Sequence, residues 1–355
     1  MKKQAVIRVD GGPAIGLGHL VRCLNFAKVL RHYNVSSLFV TKGSGNNALD
    51  LIRRQRFGLK LIDKKVNFRS DALLTKKIAI SSKARFILTD LGTEENLAQR
   101  KEFCKFFRTL RPAGLPVISI DDFIKINFPF DIQIVPYCGA EDMAYKFSKN
   151  TTPLLGPRFY IAAPQDVKLA QGKRVIRKVA KRILVTIGGS DPTLLTLDIA
   201  KALIKLNRKE LCVKFIIGSC FSDEIKEGIK DILKNFKGTY ELCPPKNIIK
   251  QMLWSDLVVS GIGLTRYEAA LTGTPNICVT RARLNAFRIR KFIAAGTSRH
   301  FSITDETSLP QAIDAIEQLL ENQTIRKEMS QSGKKLVDGQ GANRIAAELR
   351  KRKII

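Results

Sequence analysis

His19 closes a glycine-rich turn, Gly11-Gly12-Pro13-Ala14-Ile15-Gly16-Leu17-Gly18-His19, that follows an apolar strand ending at Asp10. Imidazole titrates near neutrality, so a histidine at the mouth of a ligand site can take a proton from water. Gly16 and Gly18 let the backbone turn tightly and approach a ligand, and free N–H groups at a helix start favour negative charge. Asp10, with Arg8 on the same strand, is placed to orient or polarise the histidine. His19 and Asp10 are therefore the candidate catalytic pair. The spacing departs from Gly-x-Gly-x-x-Gly, and the next strand, Leu38-Phe39-Val40-Thr41, ends on no acidic residue, which disfavours a nicotinamide enzyme. No cofactor is expected.

Two further turns carry similar equipment. Ile183 to Ile187 runs into Gly188-Gly189-Ser190-Asp191-Pro192, a second strand, glycine turn and helix start suited to an anion. Val259-Ser260-Gly261-Ile262-Gly263-Leu264-Thr265-Arg266-Tyr267-Glu268 is the third. Backbone amides at Gly263, Leu264 and Thr265 can hold a diphosphate, and Glu268, one turn into the helix, can accept from a ribose diol. Thr265 and Glu268 also have the spacing of a capping box, a reading compatible with the first.

The elements that must position these residues alternate between strand and helix along almost the whole chain, the pattern of parallel sheets covered by helices. Strands are predicted at 5–9, 37–41, 85–89, 116–120 and 132–136, then at 182–187, 212–217, 239–242, 257–260 and 276–279. Helices are predicted at about 19–32, 45–56, 70–82 and 95–110, then 193–207, 222–235, 246–253, 265–272, 284–295, 308–321 and 324–336. The proline- and base-rich stretch between the halves resists both ladder pairing and burial. The expected organisation is an N-terminal Rossmann-like domain over 1–158, a linker over 159–181 and a C-terminal Rossmann-like domain over 182–338. Residues 339–355 are expected to form a helix that packs back on the N-terminal domain. Two doubly wound domains of this kind face each other across a cleft at the carboxyl ends of their strands, where ligands sit.

Composition narrows the classes further. The 355 residues include 61 Lys and Arg against 32 Asp and Glu, a formal charge of +29 that attracts polyanions. A phosphorylated substrate and the anionic face of a membrane are candidate partners. The bases are spread, with little aromatic interleaving, so no specific nucleic-acid partner is expected. Seven cysteines without a Cys-x-x-Cys pair, beside three histidines, indicate neither a disulfide framework nor a metal site, and read as small buried residues. No signal-like or membrane-spanning apolar run is present, and a cytoplasmic location is expected.

Taken as a set, several segments resemble a GT-B fold family. It contains the UDP-2,4-diacetamido-2,4,6-trideoxy-β-L-altropyranose hydrolase of pseudaminic acid biosynthesis and the SpsG-type spore-coat polysaccharide proteins. The segments are Ile7 to Asp10, Ile15 to His19 with Arg22-Cys23-Leu24, Ile120-Asp121-Asp122, Leu155-Gly156-Pro157, Gly188 to Pro192, Gly261 to Glu268 with Gly273-Thr274-Pro275, and Asp338 to Ala342. The resemblance implies that the C-terminal domain holds UDP, with Glu268 on the ribose and Gly263 to Thr265 on the phosphates. It implies that His19 activates water against the anomeric carbon, giving UDP and free sugar with inversion and without a metal. Arg22, Gly188, Gly189, Ser190, Asp191 and Asn285 join the substrate-binding set, and Arg266 is a candidate cation for the departing diphosphate.

Two positions depart from that pattern. Asp90 continues as Leu91-Gly92 where the hydrolases carry Asp-x-Tyr, and Thr280-Arg281-Ala282-Arg283-Leu284-Asn285 lacks their glutamine. The first function expected is hydrolysis of a UDP-linked acetamido-6-deoxysugar in nonulosonic (pseudaminic-type) acid biosynthesis. The alternative is a UDP-sugar-dependent glycosyltransferase of cell-surface polysaccharide synthesis, with an acceptor hydroxyl in place of water. A non-catalytic nucleic-acid binder is the third class, supported by basicity alone.

Overall fold

The computed structural model describes residues 3–12, 16–42, 46–92, 98–111, 114–120, 128–189, 191–281, 286–303 and 308–355. The chain divides into two compact units, Met1–Pro164 with Gly339–Ile355, and Gln165–Asp338.

The first unit is built on a seven-stranded parallel sheet ordered β3-β2-β1-β4-β5-β6-β7. Its strands are β1 (Lys3–Val9), β2 (Val35–Lys42), β3 (Gly58–Ile62), β4 (Phe86–Asp90), β5 (Val117–Ile120), β6 (Ile132–Val135) and β7 (Thr152–Leu155). In β1 every residue from Ala5 to Val9 is buried, as a parallel strand covered on both faces must be. The helix Gly18–His32 lays Leu20, Cys23, Leu24, Ala27 and Leu30 on that sheet, one stripe at helical spacing. The terminal helix Gly341–Lys351 adds Ala342, Ile345, Ala346 and Leu349 to the same core. Gly341 is required there: a Cβ would lie 2.2 Å from the Tyr160 carbonyl oxygen.

The second unit has a six-stranded parallel sheet ordered β10-β9-β8-β11-β12-β13. The strands are β8 (Arg182–Thr186), β9 (Cys212–Ile216), β10 (Thr239–Cys243), β11 (Leu257–Ser260), β12 (Asn276–Thr280) and β13 (Ser298–Ser302). In each sheet the strand order reverses beside the first strand, between β1 and β4 and between β8 and β11. Such a switch point opens a crevice at the carboxyl ends of the two strands.

Three strands escaped the sequence reading, β3, β7 and β13, and each lies at a sheet edge. An edge strand buries little, so its apolar signal is weak: in β3 only Ile62 is buried, and β10 is the one edge strand that the sequence reading included. The segment expected to be a linker includes the helix Pro164–Ala170, and the division between units falls at its first residue. The cysteines also diverge from expectation. Cys23, Cys138, Cys243 and Cys278 are buried, but Cys104 and Cys212 are partly exposed and Cys220 is exposed. Cys220 sits in the turn after β9, held by its N–H to the Gly189 carbonyl rather than by its thiol.

Candidate functional site

At the switch point of the first unit, the end of β4 delivers Asp90 and the helix after β1 delivers His19 and Arg22. Nδ1 of His19 lies 2.7 Å from Oδ1 of Asp90. Arg22 donates from Nε to Oδ2 of Asp90 at 2.5 Å and from Nη2 to Oδ1 at 2.6 Å, a bidentate clamp on a fully buried carboxylate. Nη1 of Arg22 also donates to the Tyr137 hydroxyl. Burial alone would raise the Asp90 pKa, but Arg22 and then His19 outweigh it and hold the group well below the usual carboxylate range. Nδ1 also lies 2.9 Å from Arg22 Nη2, but the Asp90 contact is the shorter and a carboxylate can only accept, so the Nδ1–H tautomer satisfies it. Nε2 is then the basic nitrogen, as a general base requires.

Sequence reasoning gave the orienting role to Asp10, and the structure gives it to Asp90. Asp10 is engaged elsewhere: Arg8 donates to it at 2.6 and 2.8 Å, the Lys42 backbone N–H at 2.8 Å and the Thr41 hydroxyl at 3.2 Å. Arg8, buried, also binds Asp71 at 2.9 and 2.7 Å. Burial disfavours charge on both Arg8 and Asp71, yet their pairing raises the Arg8 pKa and lowers that of Asp71. This second cluster ties the ends of β1 and β2 to the helix Phe68–Ser81. Arg22, expected on the substrate, is buried and committed to Asp90 and Tyr137.

Gly16 has φ +74° and is exposed, and its carbonyl accepts from the Gly12 N–H at 3.0 Å, closing the turn before the helix. Gly18 opens that helix, where no side chain caps the free N–H groups. Tyr137, beyond β6, brings a hydroxyl to the same cluster. No local signal marks it, because it lies 115 residues from Arg22.

In the second unit Gly188 (φ +133°) and exposed Gly189 form the turn after β8, and Gly218 packs against both carbonyls. Asp191 is buried and caps the helix Leu195–Lys205: its carboxylate accepts from the N–H of Leu195 at 3.0 Å and of Thr196 at 2.7 Å. That accounts for its charge and corrects the substrate-binding reading. Ser190 and Asn285 lie outside the described residues. Arg281 pairs with Asp198 at 2.5 Å and donates to the Thr193 carbonyl at 3.0 Å.

After β11, Gly263 is exposed, with open space where a Cβ would stand. Leu264 is the N-cap of the helix Thr265–Thr272, and no side chain caps it, so the capping box is not formed; Tyr267 and Glu268 give their N–H groups to the Leu264 carbonyl, which leaves the amides before them for a ligand. Arg266 is buried and its Nη1 donates to the Ile262 carbonyl, bracing the turn instead of serving as a free cation. Glu268 is partly buried, and its carboxylate has no hydrogen-bonding partner among the described residues. Burial, and secondarily Asp166, push its pKa up to about 7.

Among the described residues no group of three or more His, Cys, Asp and Glu could hold a metal, and no helix is long and apolar enough to cross a membrane.

No protein-family model matches the chain. An uncharacterized protein of Methanocaldococcus jannaschii is 28% identical over 294 residues, 79% of this chain and 56% of that protein, so the match spans about half of that relative. The spore coat polysaccharide biosynthesis protein SpsG of Bacillus subtilis is 21% identical over 345 residues, 97% of this chain and 96% of that one. Among solved structures, MurG of Acinetobacter baumannii superposes with TM-score 0.69 at 14% identity, covering 98% of this chain and 99% of the other. A glycosyltransferase of Rickettsia africae gives 0.65 at 14% identity, covering 99% and 98%. The UDP-GlcNAc 2-epimerase of Neisseria meningitidis bound to UDP-GlcNAc gives 0.64 at 13% identity, covering 99% and 100%. The fold is thus that of the GT-B proteins, two Rossmann-like α/β domains in one chain.

Proposed function

We propose that this chain is an enzyme acting on a UDP-sugar, and that it hydrolyses a UDP-linked acetamido-6-deoxysugar to UDP and free sugar during synthesis of a cell-surface nonulosonic acid. The observation that carries this reading is the 2.7 Å contact of His19 with Asp90 at a sheet switch point. Support for the nucleotide comes from the fold neighbour bound to UDP-GlcNAc and from the SpsG relative, whose name places it in spore coat polysaccharide synthesis.

In this reading Nε2 of His19 takes a proton from water as the water oxygen bonds to the anomeric carbon. The bond from that carbon to the UDP oxygen breaks, and the electron pair leaves with the diphosphate. Asp90 stabilises the imidazolium that forms. The second unit holds UDP, with the diphosphate on the open amides of Gly263 to Thr265 and the ribose hydroxyls on Glu268. Asp10 acts by holding Arg8 and the end of β2 in place.

Transfer to an acceptor hydroxyl is the second reading, favoured by the glycosyltransferase neighbour and by the absence of the family's tyrosine at Gly92. The test is incubation with a panel of UDP-acetamidosugars, with and without acceptor lipids. Free sugar and UDP in equal amounts, lost in His19→Ala, support hydrolysis. UDP release only with acceptor gives the transferase, and an isomerised UDP-sugar without UDP release gives an epimerase.

A further inference from the structure

A cavity of about 760 Å³ in the first unit shares no lining residue with the His19 cluster. Among the described residues its wall carries Lys42, Lys64, Arg69, Lys105 and Arg108 against a single carboxylate, Glu102. Glu102 is already matched, 2.5 Å from Lys105. Lys42 is fixed by the Val66 carbonyl at 3.1 Å and Asp71 at 3.4 Å. Lys64, Arg69 and Arg108 have no carboxylate partner among the described residues.

The elements explain the concentration of charge. Glu102, Lys105, Arg108 and Thr109 stand at i, i+3, i+6 and i+7 of the helix Arg100–Leu110, one face of it. The helix Phe68–Ser81 begins in the same lining at Asn67, Phe68 and Arg69, adding its partial positive charge. Phe68 supplies an apolar surface, with the Lys42 ammonium 5.7 Å from its ring centroid. A recess of this size with one sign of charge focuses the field on its contents, and paired guanidiniums match the oxygens of a phosphate.

We propose that this cavity is a binding site for a phosphate-bearing ligand with at least two negative charges, separate from the nucleotide turns. The ligand is a soluble diphosphate or a phosphorylated lipid headgroup. Leu73 and Leu74, exposed one turn along the helix from Arg69, make the second source chemically accessible.

The test titrates the full-length protein with inorganic pyrophosphate by calorimetry and, separately, co-sediments it with vesicles containing phosphatidic acid. The chain is compared with a K64E/R69E/R108E variant and with K205E/K209E/K237E, which removes the same charge from exposed lysines of the second unit. Pyrophosphate binding at the nucleotide turns is common to all three proteins and cancels. The cavity variant is expected to lose at least about tenfold in affinity in one of the two arms, the control less than about twofold. Loss in the pyrophosphate arm identifies a soluble ligand, and loss in the vesicle arm a headgroup. Equal weakening in both variants, or none in the cavity variant, overturns the site. K64Q/R69Q/R108Q repeats the comparison if charge reversal disturbs folding. None of these positions belongs to the sugar-cleaving machinery, so UDP release from soluble substrate reports on the proposed function separately.

Discussion

Nδ1 of His19 and Oδ1 of Asp90 stand 2.7 Å apart although 71 residues separate them in sequence. Asp90 is buried and kept ionised by Arg22, so its work is to hold the imidazole in one tautomer. His19→Ala is expected to lower kcat for UDP release by about 10²- to 10⁴-fold, the range of general-base catalysis. Asp90→Asn should lower kcat comparably while KM stays within about threefold, since an asparagine NH₂ directed at Nδ1 selects the wrong tautomer. Initial rates across substrate concentrations check both. An Asp90→Asn enzyme with unchanged kcat would remove Asp90 from the mechanism.

Arg22 is the counterweight. Replacing it with methionine leaves a buried carboxylate without its cation, at a cost of about 3–5 kcal/mol near neutral pH. The sign follows from Asp90. Its depressed pKa contributes stability that is present above about pH 4, the unfolded carboxylate value, and is lost as pH falls through the lower folded value. Without Arg22, burial dominates and the folded pKa rises above the unfolded one, so the variant gains by binding a proton. The Tm gap between Arg22→Met and the parent should therefore be wide at pH 8 and narrow toward pH 4.5. Thermal melts across that range measure it; a gap independent of pH would mean that packing, not charge, accounts for the loss.

The turn after β8 depends on a glycine outside it. A Cβ on Gly218 would stand 2.4 Å from the Gly189 carbonyl oxygen and 2.5 Å from that of Gly188. Both contacts are backbone, which cannot rotate away. Gly218→Ala should destabilise by about 1–3 kcal/mol, the range for overpacking, and should weaken UDP binding by shifting the Gly188-Gly189 turn. Gly263→Ala, at a site with open space for its Cβ, should leave Tm nearly unchanged and report on ligand contact alone. Chemical denaturation and UDP titration of the two variants separate these effects.

Much of this arrangement was legible in the residues. The ten predicted strands correspond to β1, β2, β4, β5 and β6 and to β8 through β12; nine of these lie inside a sheet, where burial calls for an apolar run, and β10 is the one sheet edge among them. The edges β3, β7 and β13 were not, since half-exposed strands carry no such run. At the site, the glycine turns and His19 were visible as local spacing. Their partners were not: Asp90 and Tyr137 reach His19 and Arg22 only through the order β1 beside β4 and the crossing of the chain at β6. Asp10 looked like the histidine's partner because it is adjacent in sequence, and Arg8 claims it because both side chains leave the same strand end. Glu268 was found by position alone, and its altered titration required the packing around it.

That titration yields a prediction for the nucleotide turn. Burial, with Asp166 nearby, raises the Glu268 pKa from its ordinary value to about 7. A group raised in the folded state contributes stability that is complete below its unfolded value, about 4.3, and is lost as pH rises through about 7. Glu268→Gln should therefore match the parent Tm at pH 4 and exceed it by a margin that grows up to about pH 7 and stays at pH 8. Ligand binding should run the other way, because ribose hydroxyls donate to a carboxylate more strongly than to a neutral acid. Affinity for UDP-GlcNAc, whose diphosphate diester does not titrate near neutrality, should rise between pH 6 and 8 in the parent and stay flat and weaker in Glu268→Gln. Calorimetric titration at three pH values tests this. Identical pH dependence in the two proteins would show that Glu268 does not meet the ribose, and the diol would then have to be held by another side chain of the second unit.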